Sequence, residues 1–206
     1  MAPKLTPRAQ RTRAALMTAG RSIFERDGFH KARITDIAEE AGVAHGTFYT
    51  YFDSKETILL AIVDELLDSL FNQSRARQSE EATDLSPYAR LERTNRDYLS
   101  LYRDNGRIIA IWEDLAAYNE EAARRRDAGQ REFMERSERQ IRRLQAEGGA
   151  DPNLDPEYAS AALTGMVHRF AYNWFGAGGE YDLDKAVHNL TRLWASALRM
   201  EDVPSR

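Results

Sequence analysis

The sequence predicts an all-α fold of about nine helices, and three observations carry that prediction. All six prolines (Pro3, Pro7, Pro87, Pro152, Pro156 and Pro204) fall where a helical pattern begins, breaks or ends. Apolar residues recur at three- and four-residue spacing along most of the 206-residue chain. No alternating β-branched run lies between turn dipeptides, so a strand signal is missing.

The first helix spans roughly Arg8 to Asp27, with Leu16, Ala19, Ile23 and Phe24 on one stripe and Asp27-Gly28 as its stop. Thr35 is placed to N-cap a short second helix, with Asp36 in its first turn and Gly42 ending it. A third short helix covers about Gly46 to Phe52. Asp53-Ser54 then caps a long fourth helix, with Glu56 completing an Asp-x-x-Glu capping box. Its stripe of Ile58, Leu59, Ile62, Val63, Leu66, Leu67 and Leu70 lasts over three turns. The polar stretch Gln78 to Pro87 reads as a linker or break. Further helices are expected near 87–104, 107–118, 120–147, 156–176 and 183–200, with breaks at Gly106, Gly148-Gly149 and the Gly176 to Gly179 cluster.

Composition excludes several classes. There is no cysteine, which removes disulfide frameworks, thiolate zinc sites and cysteine nucleophiles. The longest apolar run, Ile58 to Val63, is far too short to span a membrane, and no signal-peptide pattern follows the basic start. A cytoplasmic protein is the expectation. The histidines (His30, His45, His168, His188) are scattered, and no metal-binding pair, phosphate loop or nucleophile elbow is present. No catalytic residue, metal or cofactor is therefore expected, and the chain does not read as an enzyme.

The net charge of −4 argues at first against a nucleic-acid partner. Divided along the chain, it says something else. Residues 1–52 hold eight Lys/Arg against five Asp/Glu, a local charge of +3 that leaves −7 on the rest. Such asymmetry hints at a DNA-binding end, although a solvated basic helix face would produce it too.

The stretch from Ile34 to Leu60 sharpens the reading. Two short helices joined through Gly42-Val43-Ala44-His45 have the size and turn of a helix-turn-helix. Ala38 allows close helix approach, Gly42 permits the sharp turn and Val43 plugs the angle between the helices. The second helix would display His45, Gly46, Thr47, Tyr49, Thr50 and Tyr51, groups suited to base edges and phosphates, while Phe48 and Phe52 anchor it. Lys55 lies in the first turn of the next helix, where a cation opposes the dipole, and that placement makes sense beside a phosphate.

From Ile34-Thr35-Asp36-Ile37-Ala38 through Gly42-Val43-Ala44-His45-Gly46-Thr47-Phe48-Tyr49-Thr50-Tyr51-Phe52 to Lys55-Glu56, the chain resembles the TetR/AcrR family of transcriptional regulators. The specific likeness covers about residues 10–65. It implies that Thr35, Tyr49, Tyr51 and Lys55 contact phosphates of a double-stranded DNA operator, and that His45, Gly46, Thr47 and Thr50 face bases. Ala44 stands where the family often has serine, which removes one phosphate-binding hydroxyl; Phe48 replaces a commoner leucine. Residues 1–53 would form the helix-turn-helix DNA-binding domain and 54–206 an effector-binding and dimerisation domain.

In the C-terminal part, the helices near 156–176 and 183–200 carry apolar faces wide enough for two neighbours, either all within the chain or including a second subunit. The family resemblance implies a homodimer through this pair, and hence a palindromic operator. It also implies an effector cavity lined by the helices near 87–176; the clustered aromatics make Tyr98, Tyr102, Trp112, Phe133, Phe170 and Trp174 candidate walls, with His168 as a polar contact, and their richness hints at a small, lipophilic effector. The resulting expectation is a dimeric repressor released by its effector. Two alternatives stay open: a DNA-binding activator without effector-induced release, and an all-helical small-molecule-binding protein.

Overall fold

A computed structural model describes residues 6–80, 85–176 and 178–200. Among these there are eight α-helices, one π-helical turn and no strand: α1 (Pro7–Asp27), α2 (Ile34–Glu40), α3 (His45–Phe48), α4 (Lys55–Glu80), α5 (Pro87–Ala116), α6 (Glu120–Ala146), α7 (Pro156–Ala171), the π-turn Tyr172–Gly176, and α8 (Leu183–Ala197). Part of the expected linker, residues 81–84, lies outside the described residues. The helices divide into two compact units. One contains Met1–Asp68 and Arg107–Ala122; the other contains Ser69–Gly106 and Ala123–Arg206. The chain passes between them within α4, within α5 and near the start of α6.

The first unit closes over Leu16, Ile23, Phe24, Ile37, Phe48, Ile58, Leu59, Ile108 and Leu115, all buried. These positions are the inner stripe of each helix, so burial of that stripe drives the packing. Gly20 lets α1 approach α4 closely: a Cβ there would sit 3.0 Å from Ile58 Cδ1. Thr6 caps α1 by accepting from the Ala9 N–H at 3.3 Å, and Gly28 ends the helix at φ 77°.

The second unit buries Leu99, Ile141, Leu144, Leu163, Val167, Val187, Leu190 and Leu198. The starts of α7 and α8 are capped by acidic side chains: Asp155 accepts from the Glu157 and Tyr158 N–H groups, and Asp182 accepts from the Lys185 N–H. Helix α6 ends in a Schellman motif, with Gly148 at φ 76° and the Gly149 N–H donating to the Leu144 carbonyl at 2.8 Å.

Four local expectations change. Gly106 does not break a helix: the segments expected at 87–104 and 107–118 are one 30-residue helix, α5. Glycine is present there for space, because a Cβ would lie 2.9 Å from Phe175 Cβ and 3.2 Å from its carbonyl oxygen. Second, the N-cap of α2 is Arg33, extended at φ −115°, so the helix begins before Thr35 and its hydroxyl donates instead to Asp36 at 3.2 Å. Third, the capping box before α4 is Ser54–Thr57 rather than Asp53–Glu56. The Thr57 N–H donates to Ser54 Oγ at 3.3 Å, and the Ser54 N–H donates back to Thr57 Oγ1 at 2.9 Å. The register slips by one because α4 starts at Lys55. Fourth, α7 stops at Ala171 and the chain continues as the π-turn rather than as regular helix to 176.

Candidate nucleic-acid interface and ligand cavity

In the first unit, Gly42 adopts φ 67° and turns the chain from α2 into α3. Helix α3 is shorter than expected, ending at Phe48, but hydrogen bonds from the Thr50, Tyr51 and Phe52 N–H groups carry the turn to residue 52. Phe48 and Phe52 are buried with ring centroids 5.9 Å apart and anchor the segment; the Arg13 guanidinium covers the Phe52 ring at 5.3 Å.

With those anchors inward, the polar side of the segment faces solvent. Thr35, His45, Gly46 and Thr50 are exposed, Tyr49 is 49% exposed, and Thr47 and Tyr51 are half-buried. The His45 and Tyr49 rings meet edge to face at 5.4 Å, which orients both on the exposed side. These residues form one surface. Lys55 behaves differently: its ammonium turns back to the α1–α2 loop and donates to the carbonyls of Phe29 at 2.9 Å and Ala32 at 3.0 Å.

In the second unit, α5, α6, α7 and α8 line a half-open cavity of about 220 Å³. Tyr98, Phe133 and His168 line it, as the sequence suggested. Tyr102 stands behind them: the hydroxyls of Tyr98 and Tyr102 both lie 3.0 Å from His168 Nδ1 and 3.3 Å from each other. Burial, then the neighbouring Arg126 and Arg169, holds His168 below the ordinary histidine pKa, so the ring is neutral at pH 7.

The other candidate walls fall elsewhere. Trp112 belongs to the first unit and is buried in it. Phe170 and Trp174 pack on Tyr181, and Trp174 stacks on Phe175 at 4.2 Å, so both build the π-turn corner rather than the cavity. Sequence reasoning missed the polar wall: Thr94, Asn95, Gln130, Ser137, Gln140 and Thr164. The signal was there in helical spacing, since 91, 94, 95 and 98 share one face of α5 and 130, 133, 134 and 137 share one face of α6.

Two family-level matches bear on these sites. The sequence model described as bacterial regulatory proteins, tetR family, matches residues 16–62, and the tetracyclin repressor-like C-terminal domain matches residues 84–198. The second covers more than half of the chain.

The chain belongs to the TetR family of bacterial regulatory proteins.

This TetR-family protein is a helix-turn-helix DNA-binding transcriptional regulator rather than an enzyme. The fatty acid metabolism regulator protein of Bacillus subtilis is 22% identical over 89% of this chain and 93% of its own. Among solved structures, the fatty acid degradation regulator FadR of Bacillus halodurans matches at TM-score 0.78 and 21% identity, covering 97% of this chain and all of that one. FadR of Bacillus subtilis in complex with stearoyl-CoA matches at TM-score 0.73 and 20% identity, over 89% of this chain and 98% of that one. These structures share the fold. Among the described residues of this TetR-family chain, no helix is long and apolar enough to cross a membrane, and no acidic or histidine cluster could hold a metal.

Proposed function

We propose that this protein is a ligand-responsive, homodimeric repressor acting in the cytoplasm, with residues 1–53 as its DNA-reading domain and 54–206 as its effector-binding and dimerisation domain. The observation that carries the reading is the joint presence of an outward-facing recognition segment and a separate lined cavity in one TetR-family chain. Thr35, Tyr49 and Tyr51 contact phosphates, and His45, Gly46, Thr47 and Thr50 face base edges. Lys55 uses two of its three donors on the loop carbonyls and has one left for a phosphate.

Dimerisation is supported by an uncovered face on the last two helices: Tyr158 is 75% exposed and Leu193 53% exposed, with Ala162 and Ala197 exposed beside them. A two-fold dimer would bind a palindrome with half-sites about 34–36 Å apart. The relatives that regulate fatty acid metabolism, one of them bound to stearoyl-CoA, support a largely apolar effector. Such an effector would bind better to a dimer whose recognition segments are wrongly spaced, and so draw population from the DNA-competent form. Helices α4 and α5 are the coupling elements, since each contributes to both units.

The test is selection of bound duplexes from a random pool, followed by footprinting and light scattering. A two-fold symmetric site bound by a dimer is expected. A single asymmetric half-site bound by a monomer, or binding that shows no sequence preference at physiological salt, would overturn the reading.

A further inference from the structure

The segment set against DNA in the proposed function supplies no lysine or arginine. Residues 41–52 contain no Lys, Arg, Asp or Glu, so hydroxyls, an imidazole and backbone are what they offer a phosphate. Lys55 spends two donors on the carbonyls of Phe29 and Ala32. Affinity for DNA comes largely from cations that displace condensed counterions, so other side chains must provide them.

Residues 6–55 hold eight Lys/Arg, and most are answered within the fold. Arg13 pairs with Glu65 at 3.4 Å, Arg21 with Glu25 at 2.9 Å and Arg26 with Asp27 at 2.8 Å. Lys31 adds its charge to that of Arg26 beside the same Asp27 carboxylate. Three cations remain. Arg8, Arg11 and Arg33 are exposed and make no ion pair among the described residues.

Their positions relate to the recognition segment. Arg8 and Arg11, three residues apart, are neighbours on the surface of α1, and no carboxylate precedes Glu25 on that helix. The Arg13 guanidinium, 5.3 Å from the Phe52 ring, brings the start of α1 to the end of the recognition segment. Arg33 follows Ala32, whose carbonyl receives the Lys55 ammonium at 3.0 Å, and stands two residues before the exposed Thr35. Helix stability selects neither place. A cation in the first turn of α1 opposes the dipole, and Arg33 occupies the N-cap of α2 without making a side-chain capping bond.

We propose that Arg8, Arg11 and Arg33 are phosphate clamps, holding the backbone of the operator around the bases that face α3. They supply affinity and register, and the segment between Gly42 and Phe52 supplies the choice of sequence. The inference rests on the reading of residues 45–51 as the DNA-facing segment and adds the cations that this segment lacks.

The experiment is fluorescence anisotropy of the full-length protein across roughly 50–200 mM salt. Two duplexes of equal length serve as probes, one carrying the site selected from the random pool and one with a scrambled sequence. Arg8→Gln, Arg11→Gln and Arg33→Gln are each expected to flatten the slope of log K against log salt by about 0.9 per protomer, and the triple variant by about 2.7. Losses should be equal on the two duplexes, so the ratio of affinities stays that of the parent. The corresponding Lys variants should keep the parental slope. Arg107→Gln, which removes the same charge from an exposed position on α5, should keep it as well. A parental slope in the triple variant would overturn the proposal. Equal flattening by Arg107→Gln would overturn it too, because net charge alone would then suffice. Flattening by one variant only would strike the other two arginines from the clamp. The scrambled duplex reads the clamp even where no preferred site exists: if the parent bound both duplexes equally while the variants flattened the slope, the clamp would stand and the sequence-selective reading would fall.

Discussion

The ammonium of Lys55 is held by Phe29 twice over, through the carbonyl oxygen at 2.9 Å and across the face of the ring at 4.8 Å. A cation in the first turn of α4 opposes the helix dipole, so local propensity disfavours it. What offsets that cost is tertiary: the loop between α1 and α2 leaves the carbonyls of Phe29 and Ala32 without helical partners, and one ammonium satisfies both. Lys55 therefore ties the start of α4 to the loop that leads into the helix-turn-helix.

Replacing Lys55 with Met should destabilise the first unit by about 1.5–3 kcal/mol, since it removes charge-assisted hydrogen bonds to loop carbonyls together with the cation over the Phe29 ring. Urea denaturation followed by circular dichroism measures this. A loss under about 0.5 kcal/mol would mean that the bonds are nearly matched by hydration in the unfolded chain.

Tyr49 is the most exposed large side chain on the recognition segment. Tyr49→Phe removes a neutral donor and should weaken operator binding about five- to tenfold, leaving the slope of log K against log salt unchanged. Removing the ammonium of Lys55 from a phosphate would instead flatten that slope by about 0.9. Fluorescence anisotropy across roughly 50–200 mM salt separates the two; unchanged affinity for Tyr49→Phe would remove the residue from the interface.

Gly106→Ala tests whether space or propensity governs that position. In a helix interior alanine gains about 1 kcal/mol over glycine. Here the new Cβ would meet Phe175 Cβ at 2.9 Å and its backbone oxygen at 3.2 Å, and neither is the yielding end of a flexible side chain. Overpacking of that kind costs about 1–3 kcal/mol, so a net loss of stability is expected. A stabilised variant would show that the π-turn corner moves freely.

His168 makes the second unit sensitive to acid. Its folded pKa lies below the unfolded value near 6.5, through burial and then the positive charges of Arg126 and Arg169, and the groups bonded to its ring include the Tyr98 and Tyr102 hydroxyls and Gln130. Above that unfolded value both states are neutral and nothing is lost. As pH falls below about 6.5 the unfolded chain takes up the proton first, and stability drops by at most about 1.4 kcal/mol per pH unit until the folded pKa is reached. Comparing urea midpoints at about pH 7.5 and about pH 5.5 for the parent and His168→Gln isolates this contribution. Parallel changes in the two proteins would show that His168 titrates normally.

The helix-turn-helix was the most legible part of the molecule, because its determinants are local. Gly42 turns, Phe48 and Phe52 anchor, and everything between them on the opposite side must face outward. The cavity was half legible. Tyr98, Phe133 and His168 belong to it, but Phe170 and Trp174, equally aromatic and at equally good helical spacing, pack on Tyr181 and Phe175 instead. An aromatic residue on an inward stripe states only that it is buried; which partner it meets depends on the angle at which helices cross. The polar wall was overlooked because Asn95, Gln130 and Gln140 read singly as surface residues, and only their shared faces reveal them.

By itself, the sequence determined the helical class, the helix-turn-helix and the division of charge that leaves +3 on residues 1–52 within a total of −4. Each of these depends on neighbours a few residues apart, where spacing and stereochemistry decide the outcome. Only the tertiary structure decided that Lys55 answers Phe29, that Gly106 makes room for Phe175, and that the Trp194 indole N–H is left without an acceptor. Those relationships join residues far apart in the chain, and they are set by how closely two helices approach rather than by any pattern along one of them.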